Sequence, residues 1–418
     1  MKVLQVNCVY NKGSTGKITA DLHHTLREQG VESVVCYGRG ERVDEPHVYK
    51  TCGEVYSKLN NLWSRLTGVM YGGCFFSTNR LIGMIKREKP DVVHLQCING
   101  YFVNIYRLIT WLKKSGIKTV LTLHAEFMFT ANCGHAFDCE GWKTGCGHCP
   151  RLKRETKSWF LDGTARSFRK MKRAFDGFDD NLIIASVSPW LMERAQQSPI
   201  LAGKKHRVVM NGLDTAVFYP REATDLKEQY GLADKKVLFH ATAAFTDDPA
   251  HIKGGYYILK LAEKLKDEPI QIVVAAGETA PDLNVPSNVT LLGRVTDQDR
   301  LAAWYSVADA TVIASRRETF SMICAESLCC GTPVVGFKAG GPETISLPQY
   351  SCFAEYGDVE GLYRGVKQMT ETDPDPVAIS AAAHAVYDKR RMAEATLTVY
   401  HKLTKGNDYE KAFGRQSD

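Results

Sequence analysis

Arg317-Glu318-Thr319-Phe320-Ser321-Met322-Ile323-Cys324-Ala325-Glu326 runs on into Ser327-Leu328-Cys329-Cys330-Gly331-Thr332-Pro333-Val334-Val335-Gly336, and this stretch decides how the chain is read. One apolar run, beginning at Ala310, precedes it, and another begins at Pro333, after Gly331 and Thr332. Apolar run, polar loop, short helical pattern, glycine stop and apolar run spell strand, loop, helix, strand. Glu318 and Glu326 stand eight residues apart around the start of that helix. Eight residues is slightly over two turns, so the spacing predicts Glu326 on roughly the face below Glu318. The N–H groups at the helix start, around Phe320 to Met322, favour an anion. Hydroxyl-binding carboxylates beside such an end suit a ligand that is part sugar and part phosphate. The plainer alternative makes Glu318 a helix N-terminal charge and Glu326 a solvated helix position.

Working outward, 418 residues are too many for one hydrophobic core and about right for two domains. A composition of 44% apolar and 24% charged residues is that of an ordinary globular protein. A formal charge of +6 permits contact with anionic lipid or substrate but gives no nucleic-acid footprint. The opening Met1-Lys2-Val3-Leu4-Gln5-Val6-Asn7 is a strand pattern without the apolar core of a signal peptide. No apolar run approaches the roughly 18 residues a membrane-spanning helix needs. Thirteen cysteines, an odd number with several inside strand or helix patterns, favour the reducing cytosol over a disulfide framework. A cytoplasmic protein is expected, with peripheral contact at the inner face of the membrane left open.

The first strand pattern ends in Asn11-Lys12-Gly13-Ser14-Thr15-Gly16-Lys17 and gives way to a helical one. This is the first unit of a doubly wound α/β domain. The loop lacks the Walker A spacing. It is either a tight turn capped by Ser14 or Thr15, or a backbone-amide cradle for phosphate or sugar. Tyr71-Gly72-Gly73-Cys74-Phe75-Phe76 is read as core, with a membrane-facing edge as the alternative. Asp91–Gln96 and Thr119–His124 are nearly all-apolar strands of a parallel sheet. His94, Asn99, His124 and Glu126 fall at their carboxyl ends, where such sheets gather function. His124 is read as functional, with a core histidine as the alternative.

Residues 131–150 break the pattern with Cys133, Cys139, Cys146 and Cys149, closing in Cys-x-x-Cys. Four closely spaced thiols on glycine-rich turns suit a structural Zn²⁺. A disulfide pair and free thiols are the alternatives. A long helix is expected over about Arg154–Ala174, and another over the tail, Ala378–Lys405. A second α/β series begins at Lys236 and contains Lys253-Gly254 at a helix start and Gly293-Arg294 after a strand.

Asn211-Gly212-x-Asp214-x-x-x-Phe218-x-Pro220, Lys253-Gly254, Gly293-Arg294-Val295, Glu318-x7-Glu326 and Cys330-Gly-Thr-Pro-Val-Val335 together resemble the family-4 retaining glycosyltransferases of the GT-B fold. The likeness covers nearly the whole chain and is most specific in the second half. The His124 region with Lys143-Thr-Gly-Cys146-Gly-His-Cys149-Pro150 resembles a polysaccharide-biosynthesis subgroup of colanic-acid or capsule type. The resemblance implies two Rossmann-like α/β/α domains facing across a cleft. The first, residues 1–213, would take the acceptor and carry the cysteine-rich insert. The second, residues 214–384, would bind the nucleotide sugar. Residues 385–418 would form a helical tail free to cross back to the first domain.

The resemblance further implies roles. His124 would touch the transferred sugar, Lys253 would neutralise the leaving diphosphate, and Glu318 would meet the sugar hydroxyls. Thr319, Phe320 and Ser321 would approach the diphosphate, Glu326 would hold the ribose, and Arg294 would lie by the base. Gly13, Ser14 and Gly16 would close over the donor. The implied partners are a nucleoside-diphosphate sugar and a glycan acceptor, lipid-linked in that subgroup. No cofactor is implied for catalysis. Relatives usually carry an arginine shortly before the lysine; here Phe245–Lys253 has none, so either His251 or Arg294 would contribute or phosphate binding would be weaker. Likewise Glu126 would stand in for an aspartate that often follows the histidine. A GT-B sugar-nucleotide epimerase, or a sugar-nucleotide-binding protein with weakened catalysis, is the alternative.

Overall fold

The computed structural model describes residues 1–372 and 374–405. The chain divides into two compact units: Met1–Met210 together with the described residues from Met392 on, and Asn211–Arg391. The first holds a seven-stranded parallel sheet of β1 (Lys2–Asn7), β2 (Glu32–Tyr37), β3 (Val48–Lys50), β4 (Val92–Leu95), β5 (Lys118–Leu123), β6 (Leu182–Ser186) and β7 (Lys205–Val208), ordered β3-β2-β1-β4-β5-β6-β7. The second holds a six-stranded parallel sheet of β8 (Lys236–Phe245), β9 (Ile270–Thr279), β10 (Val289–Gly293), β11 (Ala310–Ile313), β12 (Val334–Phe337) and β13 (Ser351–Ala354), ordered β10-β9-β8-β11-β12-β13. In both sheets the central strands are buried along most of their length and mainly apolar, as expected where helices cover both faces.

Strand order reverses between β1 and β4 in the first sheet and between β8 and β11 in the second. At such a point successive connections leave in opposite directions and open a crevice beyond the carboxyl ends of the strands. The loop containing Gly13–Gly16 follows β1, and Lys253 and Glu318 lie on the segments that follow β8 and β11.

Two expected helices are broken. Leu152–Glu155 and Thr164–Phe175 replace the single helix expected over Arg154–Ala174. Asp162 accepts a hydrogen bond from the Thr164 N–H at 2.9 Å and starts the second helix afresh. The tail is split into Pro376–Tyr387 and Lys389–Lys405. Asp388 between them has extended backbone (ψ 136°) and bridges to Leu213. The Leu213 N–H donates to Tyr387 O at 2.8 Å, the Lys389 N–H donates to Leu213 O at 2.9 Å, and Lys389 Nζ lies 2.7 Å from Asp214. The two segments by which the chain enters and leaves the second unit thus run side by side. Beyond this point, Tyr400 of the last helix packs in the first unit, where its hydroxyl meets His94 Nδ1 at 2.6 Å.

Candidate functional site

The second unit brings Lys253 and Glu318 together, with Lys253 Nζ 2.6 Å from Glu318 Oε1. Neither side chain is sealed off; they are 27% and 19% exposed. Backbone geometry on both sides fixes the pair. Gly254 has φ +69°, and a Cβ there would stand 2.0 Å from the Ala314 carbonyl oxygen. Only glycine lets this turn lie against the exit of β11. The Arg316 N–H then donates to Ile252 O at 2.8 Å and closes the two segments on each other.

Glu318 is held as firmly. Its N–H donates to Ala339 O at 3.0 Å and its carbonyl accepts from the Gly341 N–H at 2.8 Å. A Cβ on Gly341 would come within 2.5 Å of the Thr319 carbonyl carbon. The Glu343 carboxylate accepts from the Ala339 and Gly340 N–H groups at 3.0 and 2.8 Å, satisfying the start of the next helix. The placement corrects the helical spacing expected from sequence. The helix begins only at Met322, so Glu326 lies on it and Glu318 lies in an extended bridge before it.

That helix, Met322–Cys329, is capped by Ser321, whose Oγ accepts from the Cys324 N–H at 3.3 Å at a backbone φ of +86°. The Phe320 ring is buried edge-on to Tyr387, 6.4 Å between centroids, so its backbone is what it can offer a ligand. Thr319 is partly exposed between Glu318 and the cap. Glu326 Oε2 accepts a hydrogen bond from the Tyr305 hydroxyl at 3.0 Å. Burial and the adjacent carboxylate push the Tyr305 phenol well above its ordinary range, so it stays a donor. Tyr305 was not legible as a site residue, since nothing local ties it to a carboxylate 21 positions on. Arg294 is exposed after the edge strand β10, two strands from β8, or roughly 10 Å across the sheet. His251 Nδ1 faces the Lys253 N–H at 3.4 Å.

In the first unit, Gly13 and Ser14 are exposed and Gly16 is buried at the start of helix Gly13–Glu28. Neither Ser14 nor Thr15 caps this helix; its cap position, Lys12, makes no side-chain cap and the first turn has no acidic residue. A helix start of this kind suits an anion. Asn7 donates to Val9 O at 2.7 Å and Thr15 O at 3.2 Å, which sets the loop's shape.

His124 Nε2 lies 2.9 Å from Gln96 Oε1, which makes Nε2 the protonated nitrogen. Desolvation lowers its pKa to about 4, so the ring is neutral at neutral pH. His94, expected among the functional groups, is instead buried between Tyr400 and Thr122, 2.7 Å from the Thr122 hydroxyl, with its pKa lowered to about 3 by burial. Asn99 Oδ1 lies 2.9 Å from the Cys97 thiol. Glu126 does not stand in for an aspartate beside His124. It is fully buried, paired with Arg194 at 2.6 Å, and accepts from the Ala136 N–H. The Arg194 guanidinium lies between the rings of Trp142 and Trp190, at 4.8 and 5.1 Å from their centroids. Glu126 therefore anchors the cysteine-rich insert.

Cys133, Cys139, Cys146 and Cys149 all line one cavity of about 50 Å³, walled also by Trp142, Arg151 and Glu155. None is in a disulfide. Among the described residues, no three His, Cys, Asp or Glu side chains converge into a group that could hold a metal ion. Burial raises the Cys133 thiol to about 12 and the Cys146 thiol to about 11. As placed, the side chains form a thiol-lined hollow rather than a ligand tetrahedron.

Comparison with known proteins agrees with this geometry. The family model described as Glycosyltransferase Family 4 matches residues 15–217, and that described as Glycosyl transferases group 1 matches residues 235–372. WcaC of Escherichia coli (strain K12), named for colanic acid biosynthesis as a glycosyl transferase, is 25% identical over 432 residues, covering 96% of this chain and 100% of its own. N-acetyl-alpha-D-glucosaminyl L-malate synthase of Bacillus anthracis is 24% identical over 85% of this chain and 84% of its own. Among solved structures, sucrose-phosphate synthase of Thermosynechococcus elongatus superposes with a TM-score of 0.65 at 14% identity, over 97% of this chain and 99% of that one. HepE of Anabaena in complex with UDP does so with a TM-score of 0.62 at 14% identity, over 96% and 99%. With two parallel-sheet α/β units, and the two family matches spanning most of its length, the chain belongs to the family-4, group 1 glycosyltransferases of the GT-B fold.

Proposed function

We propose that the protein transfers a sugar, with retention of configuration, from a nucleoside-diphosphate sugar to a lipid-linked glycan acceptor in surface polysaccharide synthesis. The observation that carries this reading is the Lys253–Glu318 pair, 2.6 Å apart at the strand-order reversal of the second unit. Breaking a glycosyl–phosphate bond builds negative charge on the departing diphosphate. The Lys253 ammonium and the amides leading into helix Met322–Cys329 suit that charge. Glu318 accepts from sugar hydroxyls, and Glu326, oriented by Tyr305, accepts from ribose hydroxyls. Neutral His124 suits a sugar hydroxyl, and the uncapped Gly13–Gly16 turn suits a further anionic or hydroxyl group. Arg294 is assigned to the base. HepE is known in complexes with UDP and with UDP-glucose, which supports this donor class. The likeness to WcaC supports the polysaccharide role. The unpaired cysteines support a cytoplasmic setting.

The test is a panel of nucleoside-diphosphate sugars offered to the purified protein, with and without acceptor. Donor-specific transfer, with the product's anomeric configuration matching the donor's by NMR, is expected. An inverted product overturns retention. Epimerisation of the donor, or binding without turnover, overturns the transferase reading of the site.

For the insert we infer a structural zinc, supported by the shared cavity and the closing Cys146-x-x-Cys149. Stoichiometric zinc in purified protein, absent from a Cys146→Ser/Cys149→Ser variant, is the expected result; metal-free folded protein removes the inference.

A further inference from the structure

The helix Glu54–Thr67 of the first unit is turned inside out. Its buried side chains are Ser57 and Ser64. Ser57 donates to Gly100 O at 3.3 Å and Ser64 to Val69 O at 3.0 Å, while Asn60 Oδ1 accepts from the Cys74 N–H at 2.6 Å. The helix is thus attached to the unit by its polar face. Val55, Leu59, Leu62, Trp63 and Leu66, at the spacing of one helical face, point to solvent, with Val55 73% exposed.

Neighbouring segments extend this surface. The Phe76 ring, 78% exposed, lies 6.0 Å from that of Tyr56 on the helix. Thus the glycine-aromatic stretch divides, with Tyr71 and Cys74 buried and Phe75 and Phe76 outside. On the other side stands the exposed run Trp159, Phe160 and Leu161. The Trp159 N–H donates to Arg65 O at 3.0 Å. A Cβ on Gly68 would come within 2.2 Å of Leu161 O, so the two backbones are in direct contact and the run is held in place. Globular proteins rarely leave so much contiguous apolar surface without a use for it.

Charge identifies the use. Phe75 also lines an open groove of about 610 Å³ whose charged walls are Arg107, Lys114, Lys170 and Arg173, with no carboxylate. Helix Thr164–Phe175 carries five cations, Arg166, Arg169, Lys170, Lys172 and Arg173, and no acidic residue. A second copy of this chain would bring cations against cations. An anionic lipid bilayer satisfies both parts, taking the aromatic and aliphatic side chains into its interface and placing lipid phosphates against the groove.

We propose that this face of the first unit, formed by helix Glu54–Thr67, Phe75–Phe76 and Trp159–Leu161 and flanked by the basic groove, docks the protein on an anionic membrane. The proposal concerns a surface remote in kind from donor chemistry and stands whatever the acceptor proves to be.

Sedimentation with lipid vesicles, in the absence of donor and acceptor, tests it. The full-length protein should sediment with phosphatidylcholine vesicles containing phosphatidylglycerol and much less with phosphatidylcholine alone. A Trp63→Ser/Phe76→Ser/Phe160→Ser variant should lose binding by about tenfold or more, since each change removes an exposed apolar group. A Lys170→Glu/Arg173→Glu variant should lose at least about fivefold per site, and high salt should weaken the wild type. Circular dichroism confirms folding, and the charge-reversal variant keeps the test decisive if the triple variant unfolds. Donor turnover in both variants should match the wild type. Protein that stays in the supernatant with both vesicles overturns the proposal, as does sedimentation unchanged by either variant. So does a concentration-dependent dimer that the apolar substitutions dissolve, because a second copy would then be the occupant.

Discussion

The two units share a parallel-sheet plan and a reversal of strand order, yet they use their irregular segments differently. In the second unit the loops at the reversal are locked on each other. Gly254 lies against Ala314, Gly341 against Thr319, and Glu343 satisfies the amides of Ala339 and Gly340. The backbone that carries Lys253 and Glu318 is held on both sides. In the first unit the equivalent loop, Gly13–Gly16, is largely exposed and uncapped. Its tight interactions are gathered instead in the cysteine-rich insert, around Glu126 and Arg194, and its apolar surplus lies on the outside of helix Glu54–Thr67. One sheet carries a rigid ligand site; the other carries attachments.

The contrast predicts that chemistry fails first in the second unit. Lys253→Ala and Glu318→Gln should each lower transfer by about 10³-fold, the scale of removing one group that stabilises developing charge. Steady-state kinetics with unchanged circular dichroism is the check. Ser14→Ala keeps the backbone amides and should cost far less; an equal loss there would break the contrast.

Stability should fail in the first unit. Glu126→Gln leaves Arg194, 15% exposed between two tryptophan rings, without its counter-charge and should cost about 3 kcal/mol in urea unfolding. A change below about 0.5 kcal/mol would mean that Glu126 is not the insert's anchor.

Acid should act harder on the first unit, where burial lowers His94 to about 3 and His23 and His124 to about 4, than on the second, where His240 is lowered to about 4. His94 and His240 are buried and neutral, with pKa values lowered by desolvation to about 3 and about 4. Between these values and the ordinary value near 6.5 the unfolded chain binds protons that the folded one does not. Their stabilising contribution is complete above about pH 6.5 and is lost as pH falls toward 4, up to about 3 kcal/mol for His240. Melting temperature against pH checks the sign, and His94→Gln should flatten the dependence for amides of the first unit in hydrogen exchange.

The smallest effect tests the cap. Ser321→Ala removes the hydrogen bond to Cys324 and should cost about 1 kcal/mol, whereas Ser321→Gly, which tolerates φ +86°, should cost only a few tenths. Equal losses would assign the stabilisation to the hydroxyl alone.

Legibility in the sequence follows the same contrast. The strands were legible as apolar runs, and Lys253, Glu318 and Glu326 as a motif, because their placement depends on nearby glycines and one short helix. Glu126 was misread because its partner, Arg194, is 68 residues away. Asp388 reads as mid-helix in the sequence because the bridge that breaks the helix comes from Leu213. Helix Glu54–Thr67 shows a further limit. Periodicity locates an apolar face but not its direction, and here serines, small enough for close approach, take the inward side. The cysteine spacing announced a cluster, whereas the inward convergence a metal requires is a matter of rotamers, which spacing does not determine.

The return of Met392–Lys405 to the first unit has a consequence for how the protein is made. Ribosomes deliver the chain from its N-terminus, and domains usually fold in that order. Here seven strands of the first sheet emerge early, but the tyrosine that meets His94 is residue 400. The first unit therefore waits, with its His94 side open, while all of Asn211–Arg391 is synthesised. A released chain truncated after residue 391 should hold a finished second unit and an incomplete first one.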